Sequence, residues 1–319
     1  MIKFANGKSI SDIVISTALG TSGSGMFPYT CWPGYRSLVK TIKEKEITVF
    51  AKSSTRNPLI GNFILRKPRT WKYIQRIPEG GMINAYGLTN DGIEVNAKKI
   101  ATACGKGFRV IPNIYPLFAK GLGVAIAETL ESMAILERYM REYFWAMEIN
   151  YSCPNSKECI AQNMSMALTC SSAVEKRYPH IIQIAKTSIV HPFEFYPRLQ
   201  DVGVDVIHVI NTIPHDLVFP GKTSPLQNEH VGGGGVSGGP AFKLACQYNE
   251  KAKKTVPDMS SIMGCGITNE QRASKYFQIG ADAVSLCTVA LRDPKEAQKI
   301  IESGLAPTKS TVNEEEECT

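Results

Sequence analysis

This 319-residue sequence lacks the cysteine spacings that are typical of a disulfide framework. It contains nine cysteines, but none form a CxxC pair, their spacing is irregular and their number is odd. A chain of this length also buries enough apolar surface to fold without disulfides. The cysteines therefore predict reduced thiols in a reducing compartment. They exclude a disulfide framework, as well as an iron–sulfur centre held by this chain alone.

Long apolar runs are also absent. No window approaches the roughly 18 uncharged apolar residues that a membrane-spanning helix requires. The N-terminus lacks a basic stretch followed by an apolar run, which is the pattern of a secretory signal. These absences predict a cytoplasmic protein without a membrane anchor.

Dense basic clusters are lacking, although the formal net charge is +7. The basic residues are scattered, and the one dense charge run is acidic, at residues 314–317. This distribution excludes a nucleic-acid footprint. The surplus of Lys and Arg is ordinarily a solubility feature, and it can also attract carboxylate or phosphate ligands.

Short apolar runs alternate with longer amphipathic stretches along the chain, which is typical of parallel strands each followed by a covering helix. The pattern predicts a single-domain (β/α)8 TIM barrel over residues 1–306 and a disordered acidic tail over 307–319. Nine segments qualify as strands, so one early segment should lie outside the eight-stranded barrel. They are residues 13–16, 48–52, 82–84, 108–113, 146–150, 181–186, 204–211, 261–265 and 283–286.

The clearest predicted helix covers residues 124–143, where apolar residues recur at helical spacing and the methionines are interpreted as core. Two stretches, 53–73 and 212–239, are predicted as long loops. Long loops in a compact barrel usually serve the active site.

Polar residues follow successive predicted strands, at the end where barrel active sites are built. Asn150 and Asn155 bracket Cys153 in the segment Ile149-Asn150-Tyr151-Ser152-Cys153-Pro154-Asn155-Ser156. The two amides suit a ring that bears both carbonyl and N–H groups, and a thiol near a cation can act as a base. The alternative interpretation is a buried inert cysteine between solvent-facing amides.

At this segment the sequence resembles the dihydroorotate dehydrogenase family, and the resemblance extends to about Arg292. Further motifs follow in the family's order: Thr17-Ala18-Leu19-Gly20-Thr21, Ala51-Lys52-Ser53-Ser54-Thr55, Asn84-Ala85-Tyr86-Gly87-Leu88-Thr89-Asn90, Asn211-Thr212, Gly235-Val236-Ser237-Gly238 and Gly264-Cys265-Gly266-Ile267.

The resemblance implies an FMN-dependent oxidoreductase of pyrimidine biosynthesis that oxidises dihydroorotate to orotate, with Cys153 as the base and no metal. The substrate-binding residues it implies are Lys52, Asn84, Tyr86, Gly87, Leu88, Asn150, Asn155, Asn211 and Thr212. The implied FMN-binding residues are Ala18, Gly20, Lys52, Ser53, Asn113, Asn150, Lys186, Gly238, Gly264, Gly266, Cys287 and Thr288.

A cysteine rather than a serine at position 153 resembles the soluble class 1 branch. The resemblance further implies a homodimer and, as one option, an iron–sulfur and flavin electron-transfer subunit. The electron acceptor stays open between fumarate, a nicotinamide cofactor reached through a partner, and another oxidant.

Two departures from the family keep alternatives open. Cys265-Gly266-Ile267 has one glycine where the family has two adjacent ones, and Tyr86 stands where the family has a smaller or flexible apolar residue. These changes allow a flavin-binding protein without turnover. A reductase of uracil-like rings is the other alternative, although that group has a histidine where this chain has Asn155.

Overall fold

The computed structural model describes residues 1–152, 164–227 and 231–307. Its strands are Ile2–Lys3 (β1), Ser9–Ile10 (β2), Ile13–Ser16 (β3), Thr48–Phe50 (β4), Ile74–Ile77 (β5), Gly81–Asn84 (β6), Arg109–Ile111 (β7), Asn113–Ile114 (β8), Ala146–Asn150 (β9), Ile182–Lys186 (β10), Val206–Val209 (β11), Ile213–Pro214 (β12), Gly235–Ser237 (β13), Ser260–Gly264 (β14) and Ala283–Leu286 (β15).

The helices lie mainly between the strands of the large sheet. They are Pro33–Glu44 (α1), Ile93–Gly105 (α2), Leu122–Met140 (α3), Met164–Arg177 (α4), Phe195–Asp201 (α5), His215–Val218 (α6), Phe242–Thr255 (α7), Glu270–Gln278 (α8), Thr288–Arg292 (α9) and Pro294–Glu302 (α10). No helix in these described ranges is long and apolar enough to cross a membrane.

The large sheet closes into a barrel. Its strand order is β7-β4-β3-β15-β14-β11-β10-β9-β8, and all of its pairs are parallel. The two ends of this order, β7 and β8, are one stretch of chain interrupted at Pro112, which has no N–H to donate. The carbonyl of Pro112 still accepts from the Glu148 amide at 3.0 Å. Counted as one broken strand, β7 and β8 complete eight, and the predicted TIM barrel is confirmed.

The ninth predicted strand lies outside the barrel. Residues 82–84 belong to β6, in a four-stranded antiparallel sheet with the order β12-β13-β6-β5. We call this sheet the lid. Its strands β5 and β6 lie in the connection between β4 and α2, and β12 and β13 lie in the connection between β11 and α7. The predicted loop 212–239 was wrong in part, because it contains β12, α6 and β13. The predicted loop 53–73 was also wrong in part, because it ends in a 3₁₀ helix at Pro68–Tyr73.

The lid has an apolar cluster of its own, which explains why these short strands form. Ile83 and Val236 are fully buried, and they pack with Ala85, Leu226 and Val231. Burial of apolar area on one face is what stabilises such a small sheet.

The predicted helix 124–143 corresponds to α3, followed by a 3₁₀ turn at Arg141–Tyr143. Ala125, Thr129, Met133, Leu136 and Met140 form its buried stripe, at spacings of three and four residues. Met133 and Met140 are both fully buried, so their interpretation as core is confirmed.

The barrel interior forms a separate core from the layer between strands and helices. Phe50 of β4 lies fully buried within it, and its ring centroid is 5.3 Å from that of His208 on β11. The hairpin of β1 and β2 contributes Ile2 and Ile10 to the same cluster. Phe50 therefore packs against the apolar residues of the barrel interior on one side and against the polar His208 on the other.

We expect Phe50→Ala to lower the free energy of unfolding by about 3–5 kcal/mol, because it leaves a cavity inside a closed barrel. Urea unfolding monitored by circular dichroism measures this. Val124→Ala, at a side chain that is 45% exposed, is the matched control and should change stability by less than about 0.5 kcal/mol. Equal losses in the two variants would contradict the proposed interior core.

Candidate active site

A cavity of about 480 Å³ lies at the carboxyl ends of the barrel strands, bordered by residues of the lid. Active sites of TIM barrels are built at this end. Thirteen of the residues predicted for substrate or cofactor binding line it: Lys52, Ser53, Asn84, Tyr86, Gly87, Leu88, Asn150, Lys186, Asn211, Thr212, Gly266, Cys287 and Thr288.

Five other predicted residues do not contribute to the lining: Ala18, Gly20, Asn113, Gly238 and Gly264. Ala18 is fully buried, and its carbonyl accepts from the Tyr35 hydroxyl at 2.7 Å. Asn113 points its amide at Glu148. The remaining two predicted residues, Cys153 and Asn155, lie outside the described residues.

The floor of the cavity holds a buried charge cluster. The Nζ of Lys186 donates to the Ser16 hydroxyl at 2.8 Å and lies 3.8 Å from Oε2 of Glu148. Oε1 of Glu148 bonds to Nδ1 of His208, and Oε2 accepts from the Asn113 amide. Glu148 is fully buried, and Lys186 and His208 are at most 4% exposed. A lysine is thus held at the cavity with its counter-ion behind it.

The ionisation of this cluster follows from burial and charge. Burial acts to raise the pKa of Glu148, but the Lys186 charge, His208 and the two hydrogen bonds outweigh it, so the Glu148 pKa lies below its usual range. Burial lowers the pKa of His208 despite the neighbouring carboxylate. We therefore assign a carboxylate at Glu148 and a neutral imidazole at His208.

Amide side chains form a second polar group on the cavity wall. Asn150, the last residue of β9, donates to the Ser53 hydroxyl at 2.9 Å and accepts from the backbone and hydroxyl of Ser152. The Asn211 amide donates to the Ser152 carbonyl at 3.3 Å. Thr212 carries a buried hydroxyl for which no protein partner is present among the described residues. A buried hydroxyl without a partner is costly, so this one is a candidate contact for a bound molecule.

Tyr86 forms an aromatic wall with Phe63. The two rings stack with centroids 5.0 Å apart, and the Nζ of Lys52 lies 3.6 Å from the Tyr86 centroid. Burial raises the pKa of Tyr86 to about 12, so its phenol stays neutral at physiological pH. Lys52 also reaches the Thr89 carbonyl at 3.4 Å. The tyrosine that replaces the family's smaller residue therefore contacts a cation of the same cavity.

Hydroxyl and thiol groups form a further part of the cavity lining. The Thr288 hydroxyl donates to that of Ser237 at 2.8 Å, and Cys287 lies 3.4 Å from the Thr17 hydroxyl. Burial raises the pKa of Cys265 to about 12 and also raises that of Cys287, so both thiols are neutral.

Three of the six non-glycine residues with left-handed backbone in the described chain line the cavity. Thr17, Leu88 and Cys265 all line it and have φ values of 62°, 62° and 69°. Left-handed backbone costs a non-glycine residue about 1 kcal/mol or more, and such residues tend to occur at functional sites. Gly266 beside them is required by packing, because a Cβ there would lie 2.4 Å from the Phe242 Cα.

Sequence reasoning missed two groups of lining residues. Ser16 and His208 belong to strands that are otherwise apolar. The sequence feature that could have identified them is a polar residue inside a buried apolar run. The second group forms the mouth of the cavity, and we call it the rim. Its exposed apolar members are Phe27, Trp32, Leu65 and Trp71.

Basic residues flank the rim along the chain, close in sequence to Leu65 and Trp71. Arg66, Lys67, Arg69, Lys72 and Arg76 are all exposed, and no acidic residue occurs from Arg56 to Pro78. Within the described chain, none of these five cations forms a salt bridge. Exposed apolar side chains among unpaired charges of one sign are typical of an interaction surface.

Comparison with known proteins identifies a family model and several relatives that are similar to this chain. The family model described as dihydroorotate dehydrogenase matches residues 37–306. The catalytic subunit of dihydroorotate dehydrogenase B (NAD(+)) from Maridesulfovibrio salexigens is 30% identical over 250 residues, covering 74% of this chain and 76% of that protein. The corresponding subunit from Lachnoclostridium phytofermentans is 27% identical over 295 residues, covering 90% of this chain and 88% of that protein.

Solved structures agree in fold. DHODH from Eimeria tenella in complex with ferulenol aligns with a TM-score of 0.67 at 17% identity, covering 94% of this chain and 82% of that one. At this identity the likeness supports the fold alone. The family match over most of the sequence, the two B-type relatives and the polar cavity at the carboxyl ends of the strands agree, and this chain belongs to the dihydroorotate dehydrogenase family.

Proposed function

We propose that this chain oxidises dihydroorotate to orotate with FMN as its cofactor, as a flavoprotein of the class 1 branch. The observation that carries the proposal is the set of amides, Asn84, Asn150 and Asn211, brought by three separate elements to one cavity that also has Lys52 and Lys186. Amides pair with the carbonyl and N–H edge of a dihydropyrimidine, and a lysine pairs with its carboxylate.

The cavity is suited to a flavin. Lys186 offers a buried cation, and Ser237 and Thr288 offer hydroxyls on the lining of the same cavity. The neutral thiols of Cys265 and Cys287 place no negative charge near a phosphate. When bound, FMN supplies the hydride acceptor.

The chain's own residues then orient the ring and move a proton. We assign Asn84, Asn150, Asn155, Asn211 and Thr212 to the amide edges of the substrate. Lys52 pairs with the carboxylate, and its approach to the Tyr86 ring limits where that carboxylate can lie. Cys153 is the proposed base, taking the C5 proton as the C6 hydride leaves. Cys153 and Asn155 enter from sequence alone.

We further propose that electrons leave through a second subunit. The B-type relatives are named as catalytic subunits of NAD(+)-linked enzymes. This chain carries no cysteine spacing for an iron–sulfur centre, and among the described residues no cluster of three or more His, Cys, Asp or Glu side chains fits a metal ion. The exposed basic residues that flank the rim along the chain suit an acidic electron-transfer subunit that carries the iron–sulfur and flavin groups.

The remaining assignments rest on the resemblance. We propose that the protein is a homodimer and that it lies in the cytoplasm. A monomeric mass in light scattering would contradict the homodimer. No feature of the described cavity favours the uracil-type reductase or a protein without turnover.

The first test is an anaerobic absorbance spectrum of the FMN-loaded protein before and after addition of dihydroorotate. We expect the flavin band near 450 nm to bleach, because the substrate reduces the cofactor. Dihydrouracil, which lacks the carboxylate, is the matched control and should bleach it far more slowly. Bleaching by dihydrouracil alone would support the uracil-type reductase instead, and a protein that takes up no FMN would reject both.

We expect Cys153→Ala to slow flavin reduction by about 10²–10⁴-fold in stopped-flow measurements while FMN stays bound, because the C5 proton loses its acceptor. Cys153→Ser should retain part of the rate. Cys31→Ala is the control, since Cys31 is an exposed free cysteine. A rate unchanged in Cys153→Ala would remove this thiol from the mechanism.

We expect the double variant Arg69→Glu/Lys72→Glu to lower the rate at which the reduced protein passes electrons to an acidic [2Fe–2S] ferredoxin, used as a probe, by about tenfold at low salt. Reduction of the flavin by dihydroorotate should stay unchanged. Lys243→Glu/Lys251→Glu is the control, with the same charge change on exposed residues of α7, a helix that contributes no residue to the cavity lining. Equal losses in both double variants would argue against docking at the rim.

A further inference from the structure

The ammonium of Lys186 is almost completely removed from water. Lys186 is the last residue of β10, is 4% exposed and reaches the cavity floor, where Ser16 accepts one of its hydrogen bonds. A buried ammonium is costly unless an opposite charge lies close to it. Within the described chain, Glu148 is the sole acidic residue in ion-pair distance of Lys186, at 3.8 Å.

Glu148 is itself held from two sides. His208 on β11 bonds to one carboxylate oxygen, and Asn113 on β8 bonds to the other. Three barrel strands therefore supply Glu148, His208 and Asn113, and a fourth supplies the lysine. A carboxylate with both oxygens engaged keeps one orientation, which makes it a fixed rather than a mobile counter-ion.

Among the described residues, three further titratable groups interact with the charge of Lys186, and none of them is charged at neutral pH. Burial lowers the pKa of His208, and it raises those of Cys265 and Cys287, the two thiols that interact electrostatically with Lys186. Glu148 therefore provides the balancing charge for this lysine across the physiological range.

We propose that Glu148 is a positioning residue that keeps Lys186 protonated and aimed into the cavity. It acts through the lysine, because Glu148 does not line the cavity itself. The charge of Lys186 then stabilises an anion on the cofactor or substrate side. This last step rests on the proposed function, whereas the control of the lysine's proton by Glu148 does not.

The first test uses the apoprotein and compares urea unfolding of the wild type and of Glu148→Gln between pH 7 and 9.5. Without its counter-ion, Lys186 should lose its proton in the folded variant at a lower pH than in the unfolded chain. The unfolded variant then binds more protons than the folded one, so the variant becomes more stable as the pH rises. We expect its unfolding constant relative to wild type to fall by up to about tenfold per pH unit within that interval.

Two variants control for packing. Glu148→Asp keeps the charge and should show a stability gap to wild type that does not change with pH. Glu148→Gln/Lys186→Met removes both charges and should be more stable than Glu148→Gln alone, because an unpaired buried charge costs more than none. The glutamine has a partner available, since its amide nitrogen can donate to the buried Oδ1 of Asn113, which has no hydrogen-bond partner among the described residues.

A gap for Glu148→Gln that is constant with pH would overturn the proposal. If Glu148→Gln does not fold, the double variant decides: recovery of folding supports charge balance, and equal failure shows that Glu148 acts through packing alone.

The second test uses the FMN-loaded protein and sulfite, which adds to oxidised flavins to form an anionic adduct. We expect Glu148→Gln to bind sulfite about tenfold more weakly than wild type at pH 9, and the deficit to shrink toward pH 6.5 as Lys186 regains its proton. A deficit that does not depend on pH would contradict the link to the lysine. If dihydroorotate fails to bleach the wild-type flavin while both results hold, the proposed function falls and the role of Glu148 stands.

Discussion

The buried pair of Glu148 and Lys186 is the constraint around which the rest of the site is arranged. Five barrel strands contribute to it. Strands β9 and β10 carry the pair, β3 supplies Ser16 as a partner of the lysine, and β11 and β8 supply the two side chains that hold the carboxylate. Charged groups at 4% exposure or less persist only when each has partners in fixed positions. The barrel must therefore close in one register for the cluster to form, and a slip by one residue would turn Lys186 away from the interior.

Around this polar layer the molecule separates its apolar surface into distinct cores. One fills the barrel below the charge cluster, one lies between strands and helices, and a small one supports the lid. The cavity lies where the barrel interior and the lid face each other, so its walls come from two sheets with different strand directions. Amides from the lid and from the barrel can in this way reach the same ring from different sides.

The fold was largely predictable from sequence because parallel strands buried on both faces appear as short apolar runs, and eight such runs became the barrel. The lid sheet was not predictable, since β12 and β13 have only two and three residues. They are held by pairing with each other and by the pairing of β13 with β6, which lies far along the chain. Residues that end strands, such as Asn150 and Lys186, were predicted to reach the cavity and do. Glu148 was missed because alternation along a strand does not reveal which inward-facing position carries charge.

The lid is built from two distant parts of the chain, β5 and β6 before the third barrel strand and β12 and β13 after the sixth. A fragment that corresponds to half of the barrel would therefore contain only two of the four lid strands. Its buried lid residue, Ile83 or Val236, would then be exposed to solvent. During synthesis on the ribosome, the strands of the lid are all available only after Ser237, and the last lining residue of the cavity, Leu291, follows later still.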